Sequence, residues 1–175
     1  MSIKGIVQPE VISIDERLRL RKYDGDYLFA LPWYQDEELV YLVDGKRELY
    51  TMEKLGQMYR YLDQIGELYF IEVLENGSYV PIGDVTFWQN DMPVVIGEKR
   101  YRGHGLGRKV VAALVERGRK LGYDRLYVNE IYDYNTASKR CFESAGFRAY
   151  EKTQAGERYC CIVNNEHIDE FLRIC

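Results

Sequence analysis

From residue 94 to residue 121 the chain runs a short apolar stretch, Val94-Val95-Ile96, into Tyr101-Arg102-Gly103-His104-Gly105-Leu106-Gly107-Arg108-Lys109 and then into an apolar-striped segment. Few arrangements satisfy such an order. The apolar stretch reads as a buried strand. Three glycines at alternate positions remove side chains where a ligand's phosphates would approach the backbone. The residues that follow open a helix whose first N–H groups lack intrahelical partners and point back at the same spot. Strand, loop and helix together form an anion cradle. The stripe Val110, Val111, Leu114, Val115, Gly118 and Leu121 gives the helix one buried face from about 105 to 121, and Gly122 ends it. The alternating segment from Arg125 to Ile131 is then expected to return parallel to the strand before the loop, because a strand–helix–strand order favours a right-handed crossover.

The rest of the chain supplies elements around this unit. Leu18 and Leu20 alternate with Arg17, Arg19 and Arg21, so the segment from Ile14 to Tyr23 reads as a strand with one buried face. A short helix from Asp26 to Trp33 is expected to end at Pro32, leaving Trp33-Tyr34-Gln35-Asp36 as an aromatic, polar loop. Thr51 is a good N-cap for a helix to about Gln64, with Met52, Leu55, Met58, Tyr59 and Leu62 at helical spacing and Gly66 after it. Leu68 to Leu74 and Tyr79 to Trp88 flank Asn76-Gly77, a strong hairpin signal. Asn135-Thr136-Ala137-Ser138 opens a shorter helix to Ala145, Phe147–Lys152 and Arg158–Asn164 make a last strand pair, and His167 to Cys175 reads as a terminal amphipathic turn.

At 175 residues the chain fits one domain, 1–175, with a core of its own. A formal charge of −4 argues against non-specific nucleic-acid binding, although Arg100, Arg102, Arg108 and Lys109 make a local basic patch that suits a phosphate ligand. Cysteines at 141, 160, 161 and 175 have neither CxxC spacing nor a histidine cluster, so no metal site is expected and the four read as free thiols. No apolar stretch is long enough for a membrane span or a signal segment, which makes a cytoplasmic protein the expectation. The expected partner is therefore a small molecule, with no nucleic acid and no membrane, and the expected state a monomer or homodimer.

The common nucleotide loops fit poorly. A Walker A loop needs Gly-Lys-Ser/Thr after four spacers, and a Rossmann fingerprint needs Gly-x-Gly-x-x-Gly near the N-terminal strand. What does match is the pattern Arg/Gln-x-x-Gly-x-Gly/Ala, here Arg102 to Gly107, joined to the downstream run Asn135-Thr136-Ala137-Ser138-Lys139-Arg140-Cys141-Phe142-Glu143-Ser144-Ala145-Gly146-Phe147. On these two motifs the sequence, over about residues 16 to 165, resembles the GNAT N-acetyltransferase family, in the branch that includes ribosomal-protein and aminoglycoside acetyltransferases.

The resemblance implies an α/β (α+β) fold with a central mixed, mostly antiparallel sheet, splayed between the fourth and fifth strands and flanked by helices. It implies acetyl-CoA as cosubstrate, its pyrophosphate on Arg102, Gly103, His104, Gly105, Leu106, Gly107 and Arg108. Its pantetheine arm would pair with the backbone of Val94, Val95 and Ile96, one N–H of which would meet the thioester oxygen, a donor typically worth ~3 kcal/mol to the transition state. Asn135, with Ala137, Ser138 and Arg140 on the same helix start, matches a cofactor-contacting position. The implied activity is direct attack of a primary amine on the thioester.

An alkylamine of pKa ~10.4 is uncharged in only about one of a few thousand molecules at pH 7, so something must take its proton. Glu98 matches the acidic residue of related aminoglycoside enzymes and is the expected base, with Asp84 second. The family's thiolate-protonating tyrosine is replaced by Phe142, which leaves solvent or Tyr134 for that step. Trp33, Tyr34, Asp36 and Glu37 fall in the segment that shapes the acceptor cleft in the family, and Asp84 joins them as a candidate acceptor contact. The net negative charge favours a small cationic acceptor such as an aminoglycoside or polyamine. The N-terminus of a protein is the alternative acceptor, and a CoA-binding sensor without turnover the alternative class.

Overall fold

The computed structural model describes residues 5–164. Its strands are β1 (Val11–Ser13), β2 (Leu18–Lys22), β3 (Glu67–Glu75), β4 (Ser78–Phe87), β5 (Val94–Ile96), β6 (Arg125–Tyr132), β7 (Arg148–Lys152) and β8 (Gly156–Ile162). The α-helices are α1 (Glu37–Asp44), α2 (Met52–Ile65), α3 (Leu106–Lys120) and α4 (Thr136–Ser144), with a 3₁₀ helix at Leu28–Gln35. Among the described residues the chain divides into two compact units, 5–88 with 93–106 and 89–92 with 107–164.

The first unit holds a five-stranded antiparallel sheet in the order β1-β2-β3-β4-β5. Asn76 and Gly77, both at positive φ, close the β3–β4 hairpin as the Asn-Gly pair demands. One face of this sheet is covered by aromatic and aliphatic side chains from the 3₁₀ helix, α1 and α2. Trp33, Tyr34, Leu39, Val40, Leu55 and Tyr59 pack with Leu68, Phe70 and Val95 into one buried cluster. On β2, Arg19 and Arg21 each hold one oxygen of the buried Glu72 through Nε, so the alternation read in the sequence places leucines in the core and charge on the other face.

Some local expectations shift. The first strand is broken, because Asp15 Oδ1 accepts from the N–H groups of Arg17 and Leu18 and turns the chain between β1 and β2. Pro32 does not end its helix but lies inside the 3₁₀ segment, whose short, weakly bonded turns tolerate one missing donor. The segment after the aromatic loop is α1, capped by the Asp36 carboxylate on Glu38 N–H and closed by Gly45 in the left-handed region. α2 begins after Thr51 as expected.

The second unit packs α3 against the antiparallel sheet β6-β8-β7. Gly118 lies so close to the Leu126 side chain that a Cβ there would stand 2.7 Å from it. α4 follows β6, with Asn135 Oδ1 accepting from Ser138 N–H as its cap. The expected parallel return of the strand after α3 is not formed: β5 ends one sheet, and β6 takes β8 as its hydrogen-bonded partner in another. All the ladders in the described residues are antiparallel. The resemblance implies a splay between the fourth and fifth strands, whereas β4 and β5 are paired and the sheet ends after β5. Cys141 and Cys161 carry free thiols, whereas Cys160 is disulfide-bonded, against the expectation of four free thiols. Cys175 and the expected terminal turn lie outside the described residues.

Gly83 has no room for a side chain beside β5, since a Cβ there would stand 2.0 Å from the Val95 carbonyl oxygen. Backbone cannot swing aside as a side chain does. Gly83→Ala should therefore destabilise the protein by at least about 2 kcal/mol, read as a lowered midpoint in urea unfolding.

Candidate active site

Asp84 on β4 lies opposite Val95 on β5, and the pairing turns both side chains toward the aromatic cluster. There the Asp84 carboxylate is 3% exposed, and one of its oxygens, Oδ2, accepts from the Tyr34 hydroxyl at 2.8 Å and the Tyr59 hydroxyl at 2.9 Å. Burial pushes its pKa from 3.8 up to about 6, against the two tyrosine hydrogen bonds, which favour the charged form. The tyrosines are moved in turn: burial first, then the neighbouring carboxylate, raises both hydroxyls well above their ordinary value.

Two residues past β5, Glu98 is half-buried, with its backbone N–H donated to Ile82 O at 2.9 Å. Its Oε1 accepts from the Trp33 indole N–H at 2.9 Å. The indole is fixed by what lies under it: a Cβ on Gly97 would stand 2.3 Å from the Trp33 ring, so the ring rests directly on glycine backbone. Trp33 and Tyr34 are 3% and 1% exposed. They build the core under the carboxylates rather than an open aromatic wall.

Arg102 opens the glycine loop and is bound back onto the same unit. Its guanidinium donates to Ile96 O at 2.9 Å, to Gly97 O at 2.7 Å and to Asp36 Oδ2 at 2.9 Å. Burial works against ionisation of Asp36, yet the Arg102 contacts and the N–H groups of Glu38 and Leu39 outweigh it and hold the carboxyl below its usual range. The arginine thus shapes the loop and leaves its glycine backbone exposed. Gly103 and Gly105 sit at φ +77° and +78° with nothing within 4 Å of a would-be Cβ, and His104 between them is exposed. β5 is the edge strand of its sheet, carrying its ladder with β4 on one side only. Val95 points into the core, while Val94 and Ile96 are half-buried.

In the second unit, Arg108 is exposed in the first turn of α3, and Gly107 lies against the Cys141 sulfur. Burial pushes the Cys141 thiol up to about 11, which disfavours its thiolate form. Ala137 and Arg140 are exposed on α4 and Ser138 is half-buried. Phe142, standing where a tyrosine would be expected, is 4% exposed and packs edge-on against Phe147 at 5.3 Å. Tyr134 is 39% exposed and stacks on Tyr132 at 5.3 Å and 14°.

The structure therefore joins Trp33, Tyr34, Asp36, Asp84, Glu98 and Arg102 within the first unit. Glu37 stays exposed beside Arg47. A model of the acetyltransferase (GNAT) family matches residues 30–147, more than half of the chain. The chain belongs to the GNAT acetyltransferase family. Comparison with curated protein sequences returns no match. Among solved structures, this GNAT chain is similar to a domain from Methanocaldococcus jannaschii DSM 2661, with a TM-score of 0.73, 21% identity, and coverage of 85% of this chain and 99% of that one. A GNAT-family acetyltransferase from Bacillus anthracis gives 0.69 at 17% identity, over 85% and 96%. The aminoglycoside acetyltransferase AAC(6')-Ib, solved with paromomycin and acetyl-CoA, gives 0.67 at 20% identity, over 84% and 94%.

Two parts of this GNAT site escape sequence reasoning. Tyr59 reads as one more residue of a helical stripe, and nothing local marks Gly97; their partners lie far along the chain, Asp84 25 positions from Tyr59 and the Trp33 ring that rests on Gly97. The Asp84 pKa also sets a pH dependence. A carboxyl whose folded pKa exceeds its unfolded value stabilises the fold at low pH, and that contribution is lost as pH rises through about 6. Relative to Asp84→Asn, the wild type should lose about 2 kcal/mol of unfolding free energy between pH ~4 and pH ~8, measured by urea titration of both proteins.

Proposed function

We propose that this GNAT enzyme moves an acetyl group from acetyl-CoA to a primary amine by direct attack on the thioester, with Glu98 as general base and a small cationic amine such as an aminoglycoside or polyamine as acceptor. The observation that carries the reading is the Glu98 carboxylate at the exit of the edge strand β5, one oxygen held by Trp33 and the other, Oε2, left for a proton.

The residues present fit the cosubstrate. Gly103 and Gly105 leave bare, exposed backbone in conformations that side chains resist, directly ahead of a helix of 15 residues whose N-terminus favours an anion. Arg108 adds positive charge there, and the β5 edge offers unladdered backbone to an extended arm. Acetyl-CoA supplies an activated acyl group; the chain's own residues supply position and proton transfer. Glu98, directly or through one ordered water, relieves the acceptor ammonium of its proton. A thiol of pKa ~8.5 lets solvent return one to the departing thiolate, with Tyr134 the candidate side chain for the same step. A net charge of −4 draws cations toward the protein, and the likeness to AAC(6')-Ib, solved with aminoglycosides, supports the acceptor class by fold analogy.

Release of free CoA thiol, followed across a panel of amines, tests the reading. Glu98→Gln should lower kcat by ~10²–10⁴ at saturating acetyl-CoA, and an unchanged kcat would remove Glu98 from the role. Gly105→Ala forces a side chain into the left-handed region at a cost of roughly 1–2 kcal/mol. It should raise the KM for acetyl-CoA while leaving kcat at saturation largely intact.

A further inference from the structure

The indole N–H of Trp33 is a buried donor, and buried tryptophans need an acceptor. A carbonyl oxygen would satisfy it. Here the acceptor is Glu98, a carboxylate 65 positions away in the chain, and everything around the ring prevents it from turning elsewhere. The ring lies on Gly97 at a distance that would exclude any Cβ. Phe29 meets it edge-on at 5.7 Å, and Phe70 lies at 6.5 Å. The next residue, Tyr34, is tethered to Asp84, whose Oδ2 also takes Tyr59 from α2.

From this geometry we infer that Trp33 is the positioning residue for Glu98, which rests on the reading of Glu98 as base. Indole is a donor only. It fixes Oε1 while accepting no proton itself, so Oε2 remains the oxygen that takes the proton of the amine. A glutamate at the start of a loop has several rotamers open to it. The N–H selects one and keeps it through turnover. The placement is a property of the 3₁₀ helix and sheet, formed before any ligand arrives.

Two replacements separate this from a packing role. Trp33→Phe removes the N–H with part of the ring, and benzothienylalanine at position 33 keeps the bicycle and puts sulfur in place of the N–H. Steady-state kinetics with acetyl-CoA and the amine taken up in the panel should show kcat lowered on the order of tenfold to a hundredfold in both, with KM for both substrates unchanged. In the Glu98→Gln background neither replacement should cost anything further. Full kcat with benzothienylalanine, a change confined to KM, or losses that multiply with that of Glu98→Gln would each overturn the inference while leaving Glu98 as base. Undiminished kcat in Glu98→Gln alone would overturn both.

Discussion

A carboxylate enclosed by aromatic rings governs the first unit. With 3% of its surface exposed, Asp84 has too little water to solvate a charge, so its donors must come from the protein. They come from Tyr34 on the 3₁₀ helix and Tyr59 on α2, 50 and 25 positions away. Satisfying one carboxylate thus brings two separate segments onto the β4–β5 ribbon, and the residues beside those tyrosines follow. Trp33 reaches Glu98 because Tyr34 reaches Asp84. The energetic cost is visible in the raised pKa of Asp84, a burden of the kind that buried polar groups at functional sites commonly carry.

Arg102 shows how a motif residue can serve its loop from behind. Three donations, to Ile96 O, Gly97 O and Asp36, fold the strand exit against the N-terminus of α1. With the guanidinium so engaged, what the loop leaves exposed is its backbone at Gly103 and Gly105. Asp36 works twice, capping α1 with Oδ1 and pairing Arg102 with Oδ2.

Local chemistry made much of this fold legible. Asn76-Gly77 can hardly do other than close a hairpin, Thr51 and Asn135 announce helix starts, and the valine–leucine stripe of α3 declares its buried face. The errors arose where local rules met tertiary context. Pro32 stops an α-helix but not a 3₁₀ turn, and Asp36 was a cap in plain view among aromatic residues that suggested a loop. The crossover rule anticipated a parallel pair, yet β5 is three residues long and β6 is laddered to β8. Of the candidate site, spacing and resemblance pointed to the glycine loop and to Glu98, and the structure adds the hydrogen bond that Glu98 accepts from Trp33. The burial of Trp33 and Tyr34 was not, since nothing in a four-residue window shows that an indole will rest on a glycine 64 positions later.

Trp33, Tyr34 and Asp36 sit within four consecutive positions and reach Glu98, Asp84 and Arg102 respectively. That compactness constrains how such a chain can diversify. A substitution or insertion in this short stretch disturbs Glu98, the buried carboxylate and the loop staple together, so change is channelled to segments that bear on none of the three. The fold keeps its chemistry on one rigid tether and leaves variation to the periphery.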